Sequence, residues 1–206
     1  MVGGTLVGRL ARTATDGLSN HRSAHYEDRM TANHARLAAI LAAIFAAALF
    51  RLAPHPPNFT PIAAMALFGG ACLGRRALAF AAPLGALALS DAILGFHSSM
   101  VFVYGSVALT VLLGWAVARK ITPMRVAGAA VASSVLFFVV TNFGVWLAGG
   151  MYPPTLSGLA ACYVAAIPFF QNTLAGDLFF TAVLFGGFAL FERRLPALRA
   201  QAPQAA

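Results

Sequence analysis

The sequence predicts an all-α fold: a polytopic transmembrane helical bundle of six spans, with a short interfacial or re-entrant helix before the last span. Three observations carry that prediction. The chain is 60% hydrophobic and only 10% charged, whereas soluble domains carry roughly 25% charged residues, and its mean hydropathy is +0.78. Long apolar runs alternate with short polar connections. Basic residues gather in alternate connections, as membrane topology requires. A net charge of +8 would also suit a nucleic-acid binder, but no nucleic-acid motif accompanies it. Cys72 and Cys162 have no metal or redox spacing and are expected toward opposite sides, so no disulfide is expected. The domain plan is a flexible cytoplasmic tail over 1–35, a transmembrane domain over 36–192 and a cytoplasmic tail over 193–206.

Residues 1–35 mix Arg9, Arg12, Arg22 and Arg29 with Asp16, Glu27 and Asp28, and lack the continuous apolar core of a signal peptide. The first span, 36–52, carries Ala38, Ala42 and Ala46 at i+4 spacing. Small residues so spaced let another helix approach closely, inside the bundle or on a separate partner. Next comes Pro54-His55-Pro56-Pro57-Asn58-Phe59-Thr60-Pro61. Four prolines forbid a regular helix here, so the stretch is a rigid polar connection. It serves either as a stiff interhelical turn or as a preorganised part of a ligand site. The second span, 60–74, is short: at ~1.5 Å per residue it covers roughly 22 Å of a ~30 Å hydrocarbon core. The third, 77–96, contains Pro83 and Ser90-Asp91, and the fourth, 100–118, has Tyr104 near its start. The fifth, 123–149, contains Ser133, Ser134, Thr141, Asn142 and Trp146. Beyond Tyr152-Pro153-Pro154, residues 158–170 are apolar but too few to span, which suits an interfacial or re-entrant helix ending at Pro168-Phe169-Phe170. The sixth span, 171–191, holds Asn172 and Asp177 in its first half.

With six spans and both termini in the cytoplasm, every one of the 14 Lys and Arg residues except Arg51 lies inside. A seventh span at 158–170 would put Arg193, Arg194 and Arg199 outside and is rejected. In this orientation the polar residues fall toward one level. Arg51, His55, Asn58 and Thr60 lie at the first outer connection, and His97 lies at the second. Tyr152 and Tyr163 belong to the last. Asp91, Tyr104, Asn142 and Asp177 all sit within roughly 12 Å of the outer edge at ~1.5 Å per residue. Trp146 and Asn172 sit at the same depth. Intramembrane carboxylates are expensive and turn toward partners or water. Asp91 and Asp177 are the two acids within spans, and Arg51 is the one outer cation. A charge-compensated cluster follows. It is either a structural ion pair that holds the bundle or the polar part of an outward-facing pocket with aromatic walls, suited to small amphipathic solutes. Each aromatic residue also reads as an interfacial anchor. His55 and His97 have no diagnostic metal-ligand spacing, and no metal or cofactor is expected.

Several segments resemble those of an uncharacterised family of bacterial membrane proteins: the Pro54–Pro61 run, Ser90-Asp91 followed by Leu94-Gly95-Phe96-His97, Thr141-Asn142-Phe143-Gly144-Val145-Trp146, and Ala166-Ile167-Pro168-Phe169-Phe170-Gln171-Asn172. The resemblance covers about residues 36–192. That family is in turn distantly similar to the substrate-binding S components of energy-coupling factor (ECF) transporters. The resemblance implies a six-helix protein of the bacterial cytoplasmic membrane that binds a micronutrient from the outer side. It also implies a transmembrane coupling subunit with two ATPases, docked through small residues of the first helix, which Ala38, Ala42 and Ala46 resemble. No particular solute is implied.

The leading expectation is therefore a solute-binding membrane component for uptake, with Arg51, His55, Asn58, Thr60, Asp91, His97, Tyr104, Asn142, Trp146, Tyr163, Asn172 and Asp177 contributing to its site. Asp91→Asn and Arg51→Ala are expected to lower ligand affinity more than stability. No Gly-x-x-x-x-Gly-Lys-Ser/Thr phosphate loop is present, so ATP coupling must come from partners. The competing expectation is a non-transporting structural or assembly protein whose polar cluster locks helices. An enzyme is disfavoured: His97, Ser98, Ser99 and Asp91 are close in sequence, but proximity in a turn does not make a triad. Met30, just ahead of the first span, is expected to be the native start. N-terminal mass spectrometry of the native protein checks this, and recovery of residues 1–29 would overturn it.

Overall fold

The computed structural model describes residues 27, 30–74, 77–195 and 198. The expectations for Arg9, Arg12, Arg22, Arg29, Arg75, Arg76 and Arg199 fall outside these residues. Six helices make up the described chain: α1 (Met30–Leu52), α2 (Ile62–Leu73), α3 (Ala77–Leu94), α4 (Met100–Ala118), α5 (Pro123–Ala148) and α6 (Leu156–Arg194). All but α2 are long and apolar enough to cross a membrane. The protein is an all-α transmembrane bundle, and no strand occurs among the described residues.

The centre of the bundle is α2. Eleven of its 12 residues are buried, from Ile62 through Ala71 and again at Leu73. A helix that is apolar all round and buried all round is a core element. This explains its length: protein surrounds α2, so it need not match the hydrocarbon thickness. It packs chiefly on α4 and then on α3, and it also touches α5 and α6. Ile40, Ile44 and Ala48 form the buried stripe of α1. Ile44 approaches α2 at Gly69, where an added Cβ would lie 3.5 Å from its Cδ1 atom. The closest approach is between α2 and α4. A Cβ on Gly114 would lie 2.5 Å from the Leu67 carbonyl oxygen and 2.8 Å from the Gly70 Cα. The two backbones meet directly, as small residues permit between membrane helices. Aromatic side chains pack around α2 toward its C-terminal end: Phe68 lies edge-on to Phe185 and Phe188, with centroids 5.2 and 5.5 Å away, and Trp115 donates to the Gly74 carbonyl at 2.9 Å.

Two boundaries differ from the sequence expectation. Helix α1 starts at Met30, ahead of residue 36, because polar residues prolong the helix beyond its apolar core; Thr31 donates to the Glu27 carbonyl at 2.6 Å. The separate interfacial helix expected over 158–170 is instead the first part of α6. This helix begins at a Thr155 cap, whose hydroxyl accepts from the Gly158 N–H, and continues past Pro168. A proline removes one helical hydrogen bond, which a membrane helix tolerates when its neighbours hold it. At ~1.5 Å per residue the 39-residue helix is about 58 Å long, well beyond one hydrocarbon thickness. One π-helical turn, Ala182–Gly186, interrupts its second half.

The bundle proper is the compact unit Ile40–Phe191, and the described residues near the two chain ends belong to a second unit. There Arg36 pairs with Glu192 and donates to the Leu198 carbonyl at 2.7 Å.

The glycine contact predicts a contrast between two substitutions. Gly114→Ala forces the α2 and α4 backbones apart and is expected to cost about 1–3 kcal/mol or more. Gly85→Ala places its methyl in open space, and better helix propensity is expected to leave stability unchanged or raised by up to about 1 kcal/mol. Thermal unfolding in detergent, followed by size-exclusion chromatography, checks both. Equal effects would refute the close approach.

Candidate functional site

The connection between α1 and α2 is built as a rigid cradle. The Phe59 N–H donates to the Pro56 carbonyl at 3.0 Å, closing a turn with Pro57 and Asn58 at its centre. Asn58 has φ 63°. Proline followed by a residue at positive φ is the type II pattern, and asparagine tolerates that conformation better than most residues. The cradle is fastened to α6 from three directions. Asn172 donates through Nδ2 to the Pro57 carbonyl at 3.0 Å. Phe59 packs on Phe179 and Phe180 at centroid distances of 5.9 and 5.5 Å. Gly176 leaves so little room that a Cβ there would come within 3.2 Å of the Phe59 Cα. On the α1 side, Phe50 stacks on His55 at 5.9 Å and lies edge-on to Phe180 at 4.8 Å.

Arg51, at the last turn of α1, is held by α3. Its Nη2 lies 2.8 Å from the Asp91 carboxylate, and its Nη1 bonds the Ser90 hydroxyl and reaches the Leu87 carbonyl at 3.4 Å. The Asp91 side chain is 3% exposed and that of Arg51 12%. Tyr104 on α4 donates its phenol to the second Asp91 oxygen at 3.0 Å. An arginine, a serine, an aspartate and a tyrosine thus join α1, α3 and α4 through one buried carboxylate. Such a pair gains from its hydrogen bonds what it loses in hydration, and losing one partner is far worse than losing both.

Beside this network is a cavity of about 350 Å³. Arg51 lines it from the end of α1, the cradle adds His55, Asn58 and Thr60, and α2 contributes Ile62 and Ala63. His97 comes from the α3–α4 connection and Val103 from α4. Helix α5 gives Phe137, Phe138, Thr141, Asn142 and Val145, one stripe at i, i+1, i+4, i+5 and i+8. Helix α6 gives Ala166, Thr173 and Asp177, another stripe at i, i+7 and i+11. Asn58 and His97 are exposed, whereas Thr173 and Asp177 are buried, so polar groups run from an open rim to a buried floor. Asp177, 3% exposed, accepts from the Ser134 hydroxyl at 2.7 Å. It forms no ion pair among the described residues.

Seven of the 12 residues expected at the site line this cavity: Arg51, His55, Asn58, Thr60, His97, Asn142 and Asp177. The other five lie behind or beside it. Asp91 and Tyr104 hold Arg51, and Asn172 holds the cradle. Tyr163 donates to the Val139 carbonyl at 2.6 Å, and Trp146 donates to the Pro153 carbonyl at 3.0 Å. The expected single cluster of both acids around Arg51 is therefore two separate sites, with Asp91 paired and Asp177 not. Ser90, Ser134, Thr141, Thr173, Phe137 and Phe138 were not among the expected site residues. Shared helical stripes with Asn142 and Asp177 mark all of these but Ser90, which sits on α3 next to Asp91 and holds Arg51. On α1, Ala42 and Ala46 are exposed and line an apolar groove with Leu89 and Ile93 of α3, and Ala38 is exposed as well.

Residues 31–198 match DUF6580, a family of unknown function, and the chain belongs to that family. No match was found among curated proteins or solved structures.

The Arg51–Asp91 geometry changes the expected outcome of mutation there. Asp91→Asn leaves a buried guanidinium underpaired and is expected to cost about 3–5 kcal/mol, so it lowers stability rather than affinity alone. The double change Arg51→Met with Asp91→Leu removes both charges and is expected to recover most of that loss. Thermal unfolding of the two variants in detergent checks this, and a double variant as unstable as Asp91→Asn would refute it.

Proposed function

We propose that the protein is an integral membrane solute-binding component for uptake of a small molecule, similar in role to the S component of an ECF-type transporter. The observation that carries this reading is the cavity: about 350 Å³, walled by five helices and two connections, with a buried polar floor and an exposed rim. Ligand pockets are concave and mostly apolar with a few placed polar groups, and this volume lies toward the small end of their range. The distribution of basic residues supports an orientation with both termini in the cytoplasm of a bacterial inner membrane. The cavity rim, formed by the α1–α2 and α3–α4 connections, then faces outward. The chain carries no phosphate-binding loop, so energy would come from a transmembrane coupling subunit with ATPases. The exposed alanines Ala38, Ala42 and Ala46 form a surface on which such a subunit could dock closely.

The second reading, a non-transporting assembly protein, is favoured by the polar residues that only lock helices: Asp91, Tyr104 and Asn172. Native mass spectrometry of gently purified protein separates the two. A stoichiometric nonlipid adduct, identified after denaturation and lost in Asn142→Ala, is the expected result. A bare protein that carries a stoichiometric protein partner would move the assignment to assembly.

A further inference from the structure

The charge and hydrogen-bond balance of the cavity wall selects among solutes. We infer that the cavity takes a small organic cation, an amine or quaternary ammonium on a compact apolar body, with its charge directed at Asp177. This rests on the solute-binding reading and adds the chemical class of the solute.

Three observations converge. First, the wall has one committed cation and one uncommitted acid. Arg51 lines the cavity but directs its guanidinium to Asp91, Ser90 and the Leu87 carbonyl. Asp177 lines the same cavity, is buried, and among the described residues is hydrogen-bonded only by the neutral Ser134 hydroxyl. A carboxylate buried among membrane helices is stabilised by a cationic partner. Second, the neighbouring polar side chains have turned their donors away. Thr141 donates to the Phe137 carbonyl at 2.7 Å, Thr173 to the Phe169 carbonyl at 3.2 Å, and Asn142 to the Phe138 carbonyl at 2.8 Å. Each bond is local, four residues back along its own helix. Each hydroxyl has thereby spent its one donor, and Asn142 one of its two, so what remains for a ligand is chiefly oxygen lone pairs, and the deep wall suits a donor. Third, Phe137 and Phe138 border the same space, and aromatic rings favour organic cations over anions. At the buried floor an anionic solute would meet the Asp177 carboxylate and these acceptors, while the histidines that line the cavity, His55 and His97, belong to the connections at its rim.

The test uses full-length protein in detergent and three aromatic probes of similar size: benzyltrimethylammonium, benzyl alcohol and benzoate. Binding is read from the thermal unfolding midpoint over a concentration series at constant ionic strength. The expected result is a rise with benzyltrimethylammonium only, weakened about thirtyfold or more in Asp177→Asn, the loss expected when one partner of a buried charge pair is removed. The charge series on the wild-type protein stands even if that variant does not fold. A response to benzoate or benzyl alcohol in place of the cation would overturn the cationic class while leaving the solute-binding reading intact. The same rise with sodium chloride alone would assign an inorganic ion and also overturn it. A cation response unchanged in a folded Asp177→Asn protein would show that the charge is received elsewhere. No response to any probe would overturn the inference. A nonlipid adduct in native mass spectrometry would then still uphold solute binding by itself.

Discussion

The bundle depends on the direct contact of two backbones at Gly70 and Gly114. Where no side chain intervenes, α2 and α4 approach until a methyl group on either helix would meet main-chain atoms. That approach allows a helix of 12 residues to be enclosed on all sides. Lipid offers no hydrophobic driving force between apolar helices, so close packing is what favours their association. Once α2 is central, the other helices take their places around it, and the connection that leads into α2 must cross the top of the bundle. The cradle over 54–61 makes that crossing.

The cradle solves a problem that a membrane imposes. Irregular backbone at membrane depth must be covered by protein or line a polar cavity. Here it does both. Pro57 and Asn58 close a turn, Asn172 satisfies an otherwise free carbonyl, and Phe59 is wedged among phenylalanines of α6. The other side of the same segment forms the cavity wall. The same segment is thus a stiff turn on one side and a cavity wall on the other. The two intramembrane acids are divided in a similar way. Asp91 ties three helices through Arg51 and Tyr104, while Asp177 stands apart with a single neutral donor.

Much of this was legible in the residues themselves. The apolar runs identified the helices, and prolines 54, 56, 57 and 61 identified the break between α1 and α2. Seven of the cavity residues were found because polar side chains in lipid are costly and collect where they can be satisfied. The errors also have physical causes. Pro168 and the preceding short apolar run read as a separate helix because local sequence cannot report that neighbouring helices hold α6 straight through a missing hydrogen bond. Trp146 and Tyr163 read as pocket walls, yet each uses its polar atom on a carbonyl nearby. Thr173 was overlooked because one threonine in an apolar run gives no local signal until its place on the Asp177 stripe is considered.

By itself the sequence determined the class of protein, the breaks between the first five helices and seven of the polar residues that gather at one cavity. Hydrophobicity and proline stereochemistry act locally, and local forces can be read in order along a chain. The tertiary structure decided which helix is central, which acid Arg51 neutralises and which carboxylate faces the cavity beside a hydroxyl. Those outcomes depend on distances between residues far apart in sequence: 40 positions separate Arg51 from Asp91, and 43 separate Ser134 from Asp177. Two buried aspartates acquire different surroundings because one packs beside a guanidinium and the other beside a hydroxyl.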